Sequence, residues 1–174
     1  MRTWPVLDPL APHALAVARN VDVAKIAEPT ARLFNQLGLL FGAKAEYAEA
    51  ESLYRRALAI AETSYGPNHT EVAIRLSNLG VLLRDTNSLT EAEPLFRRAL
   101  MIDERSYGPD HPKVAIRLNN VARLLQDTNR LGEAEPLMRR APPILEASLG
   151  ADHPKSEIVC NNLAALEAAL GKGA

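Results

Sequence analysis

A single cysteine, Cys160, excludes an internal disulfide and any cysteine-rich metal knuckle in this 174-residue chain. Net charge is almost absent, with 20 basic residues against 21 acidic ones. That balance removes the basic footprint of a nucleic-acid binder. No apolar run approaches the roughly 18 residues of a membrane span, so neither a membrane nor a nucleic acid is expected as partner. A phosphate loop (glycine, four residues, then Gly-Lys-Ser or Gly-Lys-Thr) does not occur. The segment MRTWPVLDPLAPHALAVA has three prolines and one basic residue, Arg2, a poor pattern for a secretory signal or a transit peptide. A cytoplasmic protein is the expectation. The apolar share of 47% is enough to bury a core.

What the chain does have is repetition. A shift of 42 residues lays 31–72 on 73–114 with 20 of 42 positions identical, and 73–114 on 115–156 with 27 of 42. The fragment RRAL at Arg55–Leu58 returns at Arg97–Leu100 and becomes RRAP at Arg139–Pro142. SYGPNH at Ser64–His69 returns as SYGPDH at Ser106–His111 and SLGADH at Ser148–His153. The expected organisation is an N-terminal segment 1–30 with one capping helix, repeats at 31–72, 73–114 and 115–156, and a capping half-repeat at 157–174.

Each unit reads as two helices. In the second copy Ile74, Leu76, Leu79, Val81 and Leu83 recur at helical spacing and end at the polar Asp85-Thr86-Asn87. Ser88, with Glu91 three residues on, reads as a capping box opening a second helix from Leu89 to about Tyr107. Gly108-Pro109 stops that helix, and Asp110-His111-Pro112 caps the next, with proline in the first turn where its missing N–H costs little. Gly80, Ala92 and Ala99 fall where two helices must approach closely. A helix hairpin of this kind cannot hide both faces alone, so neighbours must stack. The spacing predicts seven helices over residues 30–170, one less regular helix near Pro12–Ala27, and no sheet.

Leu76-x2-Leu79-Gly80-x2-Leu83 followed by Ala92-x3-Phe96-x2-Ala99 resembles the tetratricopeptide repeat. Phe34, Leu37, Gly38, Phe41, Ala50, Tyr54 and Ala57 give the first copy, and Leu118, Val121, Ala122, Leu125, Ala134, Met138 and Ala141 the third. The 42-residue length, with LNNVA, EAEPL, RRAL and YGPDHP, resembles the kinesin-light-chain type. The segment Trp4–Ala18 resembles the start of such arrays in bacterial multidomain signalling ATPases. The resemblance implies an all-α, right-handed superhelical solenoid of antiparallel helix hairpins. It also implies a non-enzymatic module that binds a protein or peptide partner in a concave groove lined by the first helices. A self-association or sensor segment, making a homo-oligomer, is the alternative.

Residues that invite chemistry read as structural. His69, His111 and His153 sit beside successive helix starts. Stacked units lie roughly 10 Å apart, whereas a shared zinc needs nitrogens about 2 Å from one ion. No metal or cofactor is expected. Glu91, Glu93, Glu133 and Glu135 are first-turn residues favoured by the helix dipole. Cys160 takes the core position of Leu76 and Leu118, which predicts a buried thiol.

The asparagines are the functional signal. Helix interiors disfavour asparagine, yet Asn78, Asn119, Asn120, Asn161 and Asn162 stand mid-helix in register. An amide offers donor and acceptor together and can pair with the backbone of an extended peptide. The competing reading is an asparagine ladder that joins adjacent repeats. Arg75, Arg117 and Arg123 are read as the groove's rim, and Lys113 as exposed. Three departures stand out. Ile74, Ile116 and Ile158 occupy positions where eukaryotic cargo-binding light chains carry lysines, which implies a less basic groove. Pro142-Pro143 replaces Leu100-Met101 inside a long helix and predicts a kink or break near Ala141. Glu167 replaces Leu83 and Leu125, as expected of a helix that ends an array.

Overall fold

The computed structural model describes residues 27–171, with side chains from residue 29. The helix expected near Pro12–Ala27 lies outside this range. Seven α-helices follow one another, with no strand among the described residues: α1 Ala27–Ala43, α2 Tyr47–Tyr65, α3 Thr70–Asp85, α4 Leu89–Tyr107, α5 Pro112–Asp127, α6 Leu131–Leu149 and α7 Pro154–Ala169.

Two compact units divide between Leu82 and Leu83. In the first, α1 and α2 pack as a hairpin. Their contact is close because Gly38 has no side chain: a Cβ there would stand 2.7 Å from Tyr54 Cε1. Ala50 and Ala57 are fully buried on α2, and Arg56 lies over the Phe34 ring at 4.4 Å from its centre. In the second unit α4 packs on α5, α5 on α6, and α7 on both α5 and α6. Its core gathers Val114, Ala115, Leu118, Ala141, Ile144, Leu145 and Val159. Ala92 and Ala99, expected between close helices, are fully buried.

Two kinds of turn connect the helices. The short one is the same three times. Ser88 N–H donates to Leu83 O at 2.7 Å and Asn87 N–H to Arg84 O at 2.9 Å, the Schellman pattern that satisfies a helix's last carbonyls. Glu46 and Ala45, then Arg130 and Asn129, repeat it. The pivots Ala45, Asn87 and Asn129 are left-handed, with φ of 62°, 63° and 58°. This turn overrides the expected capping box: the bond to Leu83 holds Ser88 at ψ 56°, outside the extended geometry of a capping residue, and its hydroxyl makes no cap bond. The longer turn runs through Gly66, Gly108 and Gly150, at φ 85–91° with ψ near 160°, backbone open only to glycine.

Three further expectations are corrected. Helix α6 runs unbroken through Pro142 and Pro143. The prolines remove two N–H donors, but Met138, Ala141, Pro142, Ile144 and Leu145 are buried, and that packing holds the turn helical. Lys113 is half-buried, with Nζ 2.8 Å from Tyr107 Oη and 4.5 Å from the centre of its ring. Cys160 is also only half-buried, and its thiol donates to Glu146 Oε1 at 3.3 Å. Burial and the Glu146 carboxylate push the thiol up from its ordinary value.

Candidate functional site

The amide positions lie on the first helices α1, α3, α5 and α7. In the first unit Asn78 of α3 donates through Nδ2 to Asn35 Oδ1 of α1 at 2.7 Å. In the second, Asn162 of α7 donates through Nδ2 to Asn119 Oδ1 of α5 at 2.8 Å. Each pair spans 43 residues, one more than the repeat. The acceptors Asn35 and Asn119 are buried, while the donors Asn78 and Asn162 are half-exposed. Asn120 is half-exposed beside Asn119, and Asn161 is exposed beside Asn162. Ladder bonds therefore exist within each unit, and their donor residues also reach the surface.

The three arginines differ from one another. Arg117 is buried, and its Nε donates to Asp103 Oδ2 at 2.8 Å. Asp103 is fully buried, and its other oxygen has no hydrogen-bond partner. Arg75 is 5% exposed and pairs with Glu71 at 3.0 Å, while its Nε has no partner. A rim position does not describe either one. Arg123 is exposed. Partial desolvation and the Arg84 guanidinium lower its pKa, while Asp127 and Asp85 oppose them.

Asn35 and Asp103 are the residues that sequence reasoning missed. Both had a signal: Asn35 occupies the register of Ser77, Asn119 and Asn161, and Asp103 interrupts an apolar stripe filled elsewhere by Ala61 and Leu145.

The histidines cap helices. His69, His111 and His153 accept through Nδ1 from the backbone N–H of Glu71, Lys113 and Lys155 at 3.1–3.2 Å. His69 and His111 also stack on Tyr65 and Tyr107, at 4.7 and 4.3 Å between ring centres. Among the described residues no three histidine, cysteine or acidic side chains are grouped to hold a metal ion. No described helix is long and apolar enough to cross a membrane.

Residues 29–105 and 76–147 match the tetratricopeptide repeat family, which covers more than half of the sequence. This chain belongs to the tetratricopeptide repeat family. Solved structures share its fold. BtubC (BKLC) from P. vanneervenii aligns at a TM-score of 0.80 with 22% identity, covering 95% of this chain. The chain spans 65% of the length of BtubC. A Podosopora anserina protein described as a kinesin light chain with nearly identical TPR-like repeats aligns in two crystal structures. Their TM-scores are 0.64 and 0.62, with 17% and 18% identity over 99% of this chain and 90% of that one. No curated protein matches the chain. Tetratricopeptide repeats are in general protein-interaction modules.

Proposed function

We propose that this chain is a protein-binding module whose first helices hold an extended peptide or a segment of a partner protein. The observation that carries the reading is the double role open to Asn78 and Asn162. Each spends one N–H on a buried neighbour, which fixes the side chain's orientation, yet each is half-exposed. A primary amide has a second N–H and a carbonyl oxygen, the pair that a peptide backbone matches. In the second unit Asn120, Asn161 and Arg123 join Asn162, with Asn119 and Arg117 buried behind them, and in the first Arg75 is buried on the helix that carries Asn78. The reading involves no cofactor and no catalysis.

The test is the triple variant Asn78→Ala, Asn120→Ala, Asn162→Ala, measured for melting temperature and for affinity to a partner isolated by pull-down with the wild-type chain. Neutral hydrogen bonds contribute about 0.5–1.5 kcal/mol each, so near-additive losses give on the order of a hundredfold weaker binding. Lower stability with unchanged affinity would reduce the asparagines to mortar between helices.

A self-association or sensor segment, related to the repeat region of a larger signalling ATPase, is a second reading, and α7 favours its self-association form. Ile158 on that helix is 54% exposed, and Ala164, Ala165, Ala168 and Ala169 are exposed as well. Size-exclusion chromatography with light scattering separates the readings: a concentration-stable dimer supports self-association, and a monomer supports the open module.

A further inference from the structure

Two of the surface differences between α6 and α4 lie one turn apart. Where α4 carries the exposed Met101 and Arg105, α6 carries Pro143 and Ala147. Two long side chains, one aliphatic and one basic, are thereby removed. In their place is an open hollow of about 470 Å³ lined by Asp110, Arg139, Arg140, Pro143, Ile144 and Ala147. Its size is that of a small-ligand or side-chain site. The wall is predominantly apolar, and Asp110 reaches it from the turn before α5.

The charges decide what fits. Arg139 is bound by two carboxylates, Glu135 at 3.2 Å and Glu167 at 2.8 Å. Arg140 is bound by Glu104 at 3.3 Å. Asp110 is exposed and has no hydrogen bond or ion pair among the described residues. The lining thus holds two guanidiniums already paired with glutamates outside it and one acid, Asp110, without an ion pair. An acidic ligand would have to compete with three glutamates for the arginines, whereas a cation meets Asp110 directly.

We propose that this hollow is a docking site for a lysine or arginine side chain of a partner protein. The aliphatic stem lies on Pro143, Ile144 and Ala147, and the charged end pairs with Asp110. A long basic side chain buries its stem on apolar surface while its head stays solvated. The site lies on a second helix and a turn, so it is independent of the amide surface.

The probe is the acetylated, amidated peptide Ala-Leu-Lys-Leu-Ala, titrated into the isotope-labelled full chain and followed by amide chemical shifts. Saturable shifts are expected at Asp110 and Ala147. An exposed ion pair is weak, so Asp110→Asn is expected to reduce affinity about two- to fivefold. Ala147→Arg, which restores the side chain of the preceding repeat, is expected to abolish binding, and Asn162→Ala to leave it unchanged. Equal binding of the peptide with glutamine in place of lysine, tighter binding with glutamate there, or no saturable shift at these residues would overturn the proposal.

Discussion

Arg117 and Asp103 form a buried ion pair at 2.8 Å in register positions that the following repeat fills with two aliphatic residues, Val159 and Leu145. The same slot in the fold thus accepts a charge pair or a greasy one. Removing one buried partner strands the other, which typically costs about 3–5 kcal/mol. Replacing both by apolar residues is often neutral or stabilising by about 1–4 kcal/mol. Arg117→Ala is accordingly expected to be strongly destabilising in urea unfolding. Asp103→Leu with Arg117→Val is expected to match or exceed the wild type, because it also removes the unpartnered Asp103 oxygen. A double variant as unstable as the single one would contradict this.

Gly38 and Tyr54 give a second test. Gly38→Ala places a methyl group 2.7 Å from the Tyr54 ring and should overpack the hairpin by about 1–3 kcal/mol. The third repeat carries Ala122 and Met138 at these positions, both fully buried. Gly38→Ala with Tyr54→Met should therefore lose less stability than the two single changes summed. Strict additivity would mean that the ring and the glycine are not coupled.

Ser156 is fully buried, and its hydroxyl has no hydrogen-bond partner. Val72 and Val114, both fully buried, occupy its register in the earlier repeats. An unsatisfied buried polar group costs roughly 1–3 kcal/mol, so Ser156→Val is expected to stabilise the chain on that order. The check is a higher melting temperature by calorimetry.

Acid provides the fourth measurement. Burial pushes the Glu93 carboxyl up, but hydrogen bonds from Arg97 and Arg130, each 2.8 Å, outweigh it and hold the group below its ordinary value. A carboxyl depressed in the folded state stabilises fully above its unfolded pKa, near 4.3, and loses that contribution as pH falls through the folded value. The wild type should exceed Glu93→Gln in stability at pH 6 and approach it at about pH 3. Denaturation at both values decides, and a difference that grows in acid would invert the sign.

Much of this is legible in the sequence. Repetition at 42 residues, with alanines in register at 50, 57, 92 and 99, was enough to place both helices of each unit, because close packing leaves those positions no alternative. The turns were less legible. Ser88 and Glu91 satisfy a local capping rule, but the Schellman bond from Ser88 N–H to Leu83 O had already committed that backbone. Pro142 misled for a related reason, since propensity describes an isolated helix and α6 is held by its buried face. The asparagines showed that something polar happens mid-helix. They could not show that half of each pair faces inward, since Asn35 and Asn119 look no different in sequence from Asn78 and Asn162.

The amide bonds reach 43 residues in a chain that repeats every 42. Within each unit that offset of one sets an acceptor in one copy against a donor in the next, Asn35 with Asn78 and Asn119 with Asn162. Asn119 and Asn120 are the two positions side by side. Such a unit has the grammar of a cassette. A copy like the third, spliced in frame, carries an asparagine at both the acceptor and the donor position. A segment one residue too long or too short leaves both amides facing the wrong neighbour. The array can grow or shrink only in whole steps.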